Sequence, residues 1–90
     1  ILHSNENISI LKSKIGRNIL QSFLININET DSLKEIAQLV QKDTNCAPKD
    51  FWSTIRIALT GESHGPALDM IIKIYGQNKV KLRIDDALQL

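Results

Sequence analysis

The stretch Phe51-Trp52-Ser53-Thr54-Ile55-Arg56-Ile57-Ala58-Leu59-Thr60-Gly61, continuing as Glu62-Ser63-His64-Gly65-Pro66-Ala67-Leu68, organises the reading of the whole chain. Phe51 with Trp52, Ile55, Ala58 and Leu59 recur at three- and four-residue intervals, which predicts a short helix with one face in a core. Arg56 is the one charge inside that apolar run. Thr60-Gly61 ends the helix, because glycine enters a left-handed C-cap without steric cost. Gly65-Pro66 then restarts a helix, since proline at the first helical position lacks only an N–H that had no partner. The spacing therefore predicts a helix, a tight glycine-bounded turn and a second helix, with Arg56 and several free backbone groups at the corner.

Working back from this stretch, Pro48 suits a first helical turn, and Asp50 places an acid where the helix dipole favours it. The segment from Asp43 to Pro48 breaks an earlier stripe of Leu33, Ile36, Ala37 and Val40, with Leu39 at its edge. Ser32 with Glu35 has capping-box spacing, and Thr30 is an equal contender for the cap. Ile8, Leu11, Ile15, Ile19, Leu20, Phe23 and Leu24 predict one long amphipathic helix. Gly16 inside it should cost about 1 kcal/mol against alanine. Lys12, Lys14 and Arg17 decorate that helix, as a solvated face or as contacts to RNA phosphates. Residues 1–7 carry capping chemistry without periodicity and read as an end left by truncation.

Working forward, Leu68, Ile71, Ile72 and Tyr75 form the inward stripe of a fourth helix, with Asp69 and Lys73 spaced for a weak pair. Gly76 should stop it, and Asn78 should cap a fifth helix burying Val80, Ile84 and either Leu88 or Ala87. From Lys73 to Arg83 the charges are all basic, a one-signed cluster made of Lys73, Lys79, Lys81 and Arg83. No alternating pattern is long enough to demand a strand. The expectation is an all-α chain, a compact bundle or short superhelical cage of about five helices.

Ninety residues suit one domain with a modest core. Apolar content of 42% and charged content of 23% are ordinary for a folded soluble chain. A net charge of +1 means that any nucleic-acid contact must rest on local charge. The lone Cys46 excludes an internal disulfide and fits a reducing compartment. No apolar run nears the roughly 18 residues of a membrane span. No glycine-rich nucleotide loop, paired carboxylates or activated nucleophile is present. His3 and Cys46 lack a third ligand at metal-binding spacing. Starting at Ile1 with Met70 as its single methionine, the chain reads as a fragment of a longer polypeptide.

The segment 51–88 resembles the C-terminal anticodon-binding region of bacterial glutamyl-tRNA synthetase. The resemblance is carried by Phe51, Ile55, Arg56, Ala58, Leu59, Thr60, Gly61, Gly65, Pro66, Leu68, Tyr75 and Gly76. Lys79, Lys81, Arg83, Ile84, Ala87 and Leu88 match the basic ending with its Arg-Leu and Ala-Leu pairs. Ahead of residue 51 only helical pattern and length agree. It implies that residues 1–90 are a single C-terminal anticodon-binding domain with tRNA as its partner. The missing catalytic part would attach glutamate to tRNA using ATP and magnesium, and this segment itself would hold no cofactor. The two short ATP-binding signatures of such synthetases are absent. A cytoplasmic, monomeric protein with no membrane contact completes the expectation.

Carried over residue by residue, Arg56 would bind the middle anticodon base, with Gly65, Pro66 and Leu68 shaping its pocket. Some relatives carry a hydroxyl residue where this chain has Gly65, so backbone contacts must suffice there. By spacing alone, the favoured reading is that Arg56 bridges to Asp50 or to an acid on another helix and holds the bundle together; the resemblance reverses that preference. Lys73, Lys79, Lys81 and Arg83 fit phosphate contacts and, for any single one, a solvated helix face equally well, while Arg83 also reads as a structural salt bridge. His64 is placed to stack on a base but fits an ordinary loop histidine as well. Trp52 and Tyr75 read chiefly as core. A rival from another class is a helical protein-interaction or DNA-binding module; a recognition helix over 66–75 should be polar and basic, and this one is mostly apolar.

Overall fold

Helix α4 (Pro48–Thr60) buries Phe51, Thr54, Ile55, Ile57, Ala58 and Leu59 on a broad face and packs against each of the other four helices. The computed structural model describes residues 4–30, 32–62 and 65–90, and these hold helices and turns without a strand. Around α4 stand α1 (Asn5–Lys12), α2 (Lys14–Asn26), α3 (Leu33–Thr44) and α5 (Leu68–Leu88). Pro48 opens α4 and Gly61 ends it at φ 80°, as the sequence predicts. All five helices contribute to one core, with Leu11, Phe23, Val40, Phe51 and Ile84 fully enclosed. Phe23 and Phe51 meet at 6.3 Å between ring centroids. The helices close into a globule of 32 × 28 × 21 Å.

The fold is all-helical as the sequence reading expects, but the division at the N-terminal end differs. The predicted single helix from Ile8 is two helices joined at Ser13, whose backbone is extended at ψ 156°. Its hydroxyl donates to the Ile10 carbonyl at 2.6 Å and accepts from the Gly16 N–H at 3.1 Å, so one side chain closes α1 and opens α2. The break re-phases the chain and leaves Ile15 at 37% exposure rather than in the core. Gly16 is a point of close approach, since a Cβ there would lie 2.2 Å from the Ile10 carbonyl oxygen.

At the other end, α5 comprises the two predicted helical segments, separated at Gly76, whose backbone (φ 79°, ψ 157°) is non-helical and open essentially to glycine, so the expected stop stands there. Gln77 secures the break by donating to the Ile27 carbonyl at 3.0 Å. Asn78, expected as the cap, lies within the helical segment that follows the break. Pro66, expected at the first helical position, precedes the helix, which begins at Leu68 after Ala67. Of the last inward positions, Ala87 is buried and Leu88 only partly so.

Elsewhere the local chemistry follows the pattern. Ser32 caps α3 by accepting from the Glu35 N–H, and Thr30 joins in by accepting from the Ser32 N–H and donating to the Glu35 carboxylate. Buried Ser22 and Asn26 both donate to Asp43, tying α2 to α3. His3 and His64 lie outside the described residues.

Gly16→Ala separates the two readings of this glycine by sign. A mid-helix glycine would gain stability on replacement, whereas the Ser13 junction predicts a loss of about 1–3 kcal/mol in urea unfolding, because a methyl must force α1 and α2 apart.

Candidate nucleic-acid interface

The candidate site is built where α4 ends. The last carbonyls of a helix have no partner within it, and here side chains of α5 and α1 reach two carbonyls at its exit. Thr60 donates back to the Arg56 carbonyl at 2.8 Å. Arg83 of α5 donates to the Leu59 carbonyl at 3.3 Å, and Asn7 of α1 to the Gly61 carbonyl at 2.9 Å. Arg83 thus has a structural role, through a carbonyl rather than the expected salt bridge. Arg17 similarly donates to the Leu88 carbonyl at the end of α5.

Arg56 is half-buried and donates from Nη1 to the Pro66 carbonyl, closing the corner between α4 and α5. The bond runs to a backbone oxygen, not to the Asp50 carboxylate that local spacing offered. A guanidinium carries five N–H donors, so this contact engages only part of its fork. Gly65 adopts φ 151° with Arg56 Nη1 4.0 Å from the position of a Cβ. Ser63 and His64, within the same turn, lie outside the described residues.

Beside this corner opens a cavity of about 640 Å³ between α3, α4 and the start of α5. Arg56 and Leu68 both line it, together with Trp52, Ala67 and Asp69. Its opposite wall comes from α3, as Leu33, Lys34, Ala37, Gln38 and Gln41. Ala37 and Leu68 are buried and make the base of the cavity apolar, while Lys34, Gln38 and Asp69 are exposed at its rim. Trp52 is only half-buried, with its indole held edge-on to Phe51 at 4.9 Å and 82°. It contributes to the core margin and to the cavity at once.

The structure brings Arg56, Gly65, Pro66 and Leu68 to one corner. It places the three lysines elsewhere. Lys73 lines a separate hollow of about 250 Å³ beside Gly76 and Gln77. Lys79 lies 4.4 Å above the Tyr75 ring, which Arg83 also approaches at 5.4 Å. Lys81 lines an open hollow with Leu24, Leu82 and Asp85. The α3 residues at the cavity were not singled out from the sequence, because the polar face of an amphipathic helix has the same pattern whether it meets water or a ligand.

Among the described residues no helix is long and apolar enough to cross a membrane, and no group of His, Cys, Asp and Glu is arranged to hold a metal ion.

A family model described as an anticodon binding domain matches residues 7–88. The chain is 33% identical over 93 residues to glutamate–tRNA ligase 2 of Caldanaerobacter subterraneus subsp. tengcongensis, covering 98% of this chain and 19% of that protein. It is 33% identical over 91 residues to the glutamate–tRNA ligase of Geobacillus thermodenitrificans, covering 96% of this chain and 19% of that protein. A stretch of 51 residues is 45% identical to glutamate–tRNA ligase 1 of Thermoanaerobacter sp., covering 57% of this chain and 10% of that protein. The chain thus spans about a fifth of the length of the first two relatives. No solved structure matches it.

The carbonyl bonds at the end of α4 carry a stability prediction. Arg83→Met and Asn7→Ala should each lower the unfolding free energy by about 1 kcal/mol, since each strips one partly buried carbonyl of its donor. Urea unfolding measures this, and unchanged midpoints would mean that water replaces both donors without loss.

Proposed function

This chain belongs to the anticodon binding domain family, and from that membership we propose that it reads the anticodon of a glutamate-accepting tRNA as the non-catalytic part of a glutamate–tRNA ligase. The observation that carries the reading is Arg56, anchored by one N–H to the Pro66 carbonyl at the lip of an apolar-based cavity. A guanidinium held in this way has a set orientation and spare donors, so it can meet the acceptor edge of a base at little further entropic cost.

Bases in a single-stranded loop expose their pairing edges, and a base splayed from such a loop can enter a cavity that a duplex cannot. Arg56 binds the middle base through its remaining donors. Leu68 and Pro66 give the base apolar contact, and Gly65 keeps the backbone close without a side chain. Lys73, Lys79 and Lys81 meet the RNA backbone, adding affinity without sequence information. Lys79 does so while resting on Tyr75.

The activation of glutamate with ATP and magnesium belongs to another part of the ligase, and no cofactor is assigned to this chain. The chain acts as one domain, residues 1–90, of a monomeric cytoplasmic enzyme.

Arg56→Ala tests the reading. It should weaken binding of a glutamate-tRNA anticodon-arm hairpin by about 1–3 kcal/mol, the worth of one specific base contact. Unchanged affinity in a folded variant would contradict it. Pro66→Ala keeps the carbonyl that anchors Arg56 and should reduce discrimination among anticodon letters more than it reduces the melting temperature; the reverse outcome would make Pro66 a structural residue.

A further inference from the structure

We propose that the α3 residues Gln38 and Gln41, facing Trp52 and Arg56 across the cavity, are specificity-determining residues that read the edge of an unstacked RNA base lying against the Trp52 indole. The proposal rests on the anticodon-reading function above and adds a second wall to that site.

Two stripes face each other. Lys34, Gln38 and Gln41 recur at four and three residues along α3, and Trp52 and Arg56 are four apart on α4, so each set shares a helix face. Behind the α3 stripe, Ile36, Ala37 and Val40 are in the core, which holds the helix and directs the glutamines to the cavity rather than inward. Trp52 is the flat surface between the stripes. Its contact with Phe51 presets the ring plane, so stacking a base on it requires little reordering.

The mixture of polar groups identifies what enters. A phosphate presents only acceptors, and a site for it would be lined by donors alone. This cavity is lined by Gln38, Gln41 and Asp69 as well as by Lys34 and Arg56, and Asp69 Oδ1 accepts from the Met70 N–H, which leaves its other oxygen. An amide offers a donor and an acceptor side by side, the pattern found along the pairing edge of a base. Asp69 repels a phosphate and accepts from a base N–H. The base therefore enters the cavity and the sugar–phosphate chain stays at the rim, where Lys34 is exposed.

The test compares the chain with the double variant Gln38→Ala/Gln41→Ala and with Lys34→Ala. The ligands are an anticodon-arm hairpin of glutamate tRNA and three hairpins each changed at one anticodon letter, with dissociation constants from calorimetry. Alanine at these α3 positions favours the helix, and matching circular dichroism melts identify folded variants. The double variant should lower the preference for the unchanged hairpin by about tenfold at one letter. Lys34→Ala should weaken all four hairpins alike. Emission of Trp52, the only tryptophan in the chain, should fall on binding. A chain that discriminates among the hairpins while the double variant keeps the same preference overturns the role of the glutamines and leaves anticodon reading standing. Binding without a change in tryptophan emission overturns stacking on Trp52. A chain that does not discriminate at all removes the anticodon reading and this proposal together.

Discussion

A helix that ends inside a protein must find partners for its last carbonyls, and the way α4 meets that demand positions every group at the corner. Arg83 and Asn7 supply donors from α5 and α1. These bonds fix where the backbone leaves α4. With the exit fixed, the Arg56–Pro66 bond sets where the chain returns, and Leu68 enters the core as α5 begins. The candidate site is thus a by-product of capping a helix that ends against the core, which is why its geometry rests on residues as far apart in sequence as Asn7 and Arg83.

Arg56 has a structural bond that leaves the rest of its guanidinium available. It holds the turn together through one N–H, and the planar guanidinium keeps further donors on the same rigid group. A lysine at this position would supply charge without the fork. Lys79 and Arg83 show a comparable economy around Tyr75, where a ring at the core margin seats two cations. Basic residues that looked like a single cluster in sequence therefore divide by role: Arg83 caps α4, Lys79 covers an aromatic ring, and Lys73 and Lys81 border other hollows.

Much of this architecture was legible because local chemistry and burial agree. Pro48 and Gly61 bound α4, Ser32 caps α3, and the stripes Leu33-Ile36-Ala37-Val40 and Leu68-Ile71 point inward. The junction at Ser13 was not legible, because apolar spacing continues across it and only the Ser13 hydroxyl and the approach of Gly16 to the Ile10 carbonyl mark the break. Gly76 was legible as a stop: its non-helical backbone breaks α5 there, while Gln77 and the buried Val80 and Ile84 hold the second half to the same core. At the candidate site, Arg56 and Leu68 were visible as an interruption and a resumption of apolar pattern. Gln38 and Gln41 were not, since nothing in a polar stripe says which neighbour it will face.

The most direct measurement is a heteronuclear magnetic resonance titration of the chain with an anticodon-arm hairpin of glutamate tRNA, following the Arg56 guanidinium, the Trp52 indole N–H and the Leu68 methyl groups. The account predicts that all three shift together, with the same midpoint, and that a hairpin altered at the middle anticodon letter moves them less. Shifts confined to Lys73, Lys79 and Lys81 on α5, with the α3–α4 cavity unperturbed, would contradict it.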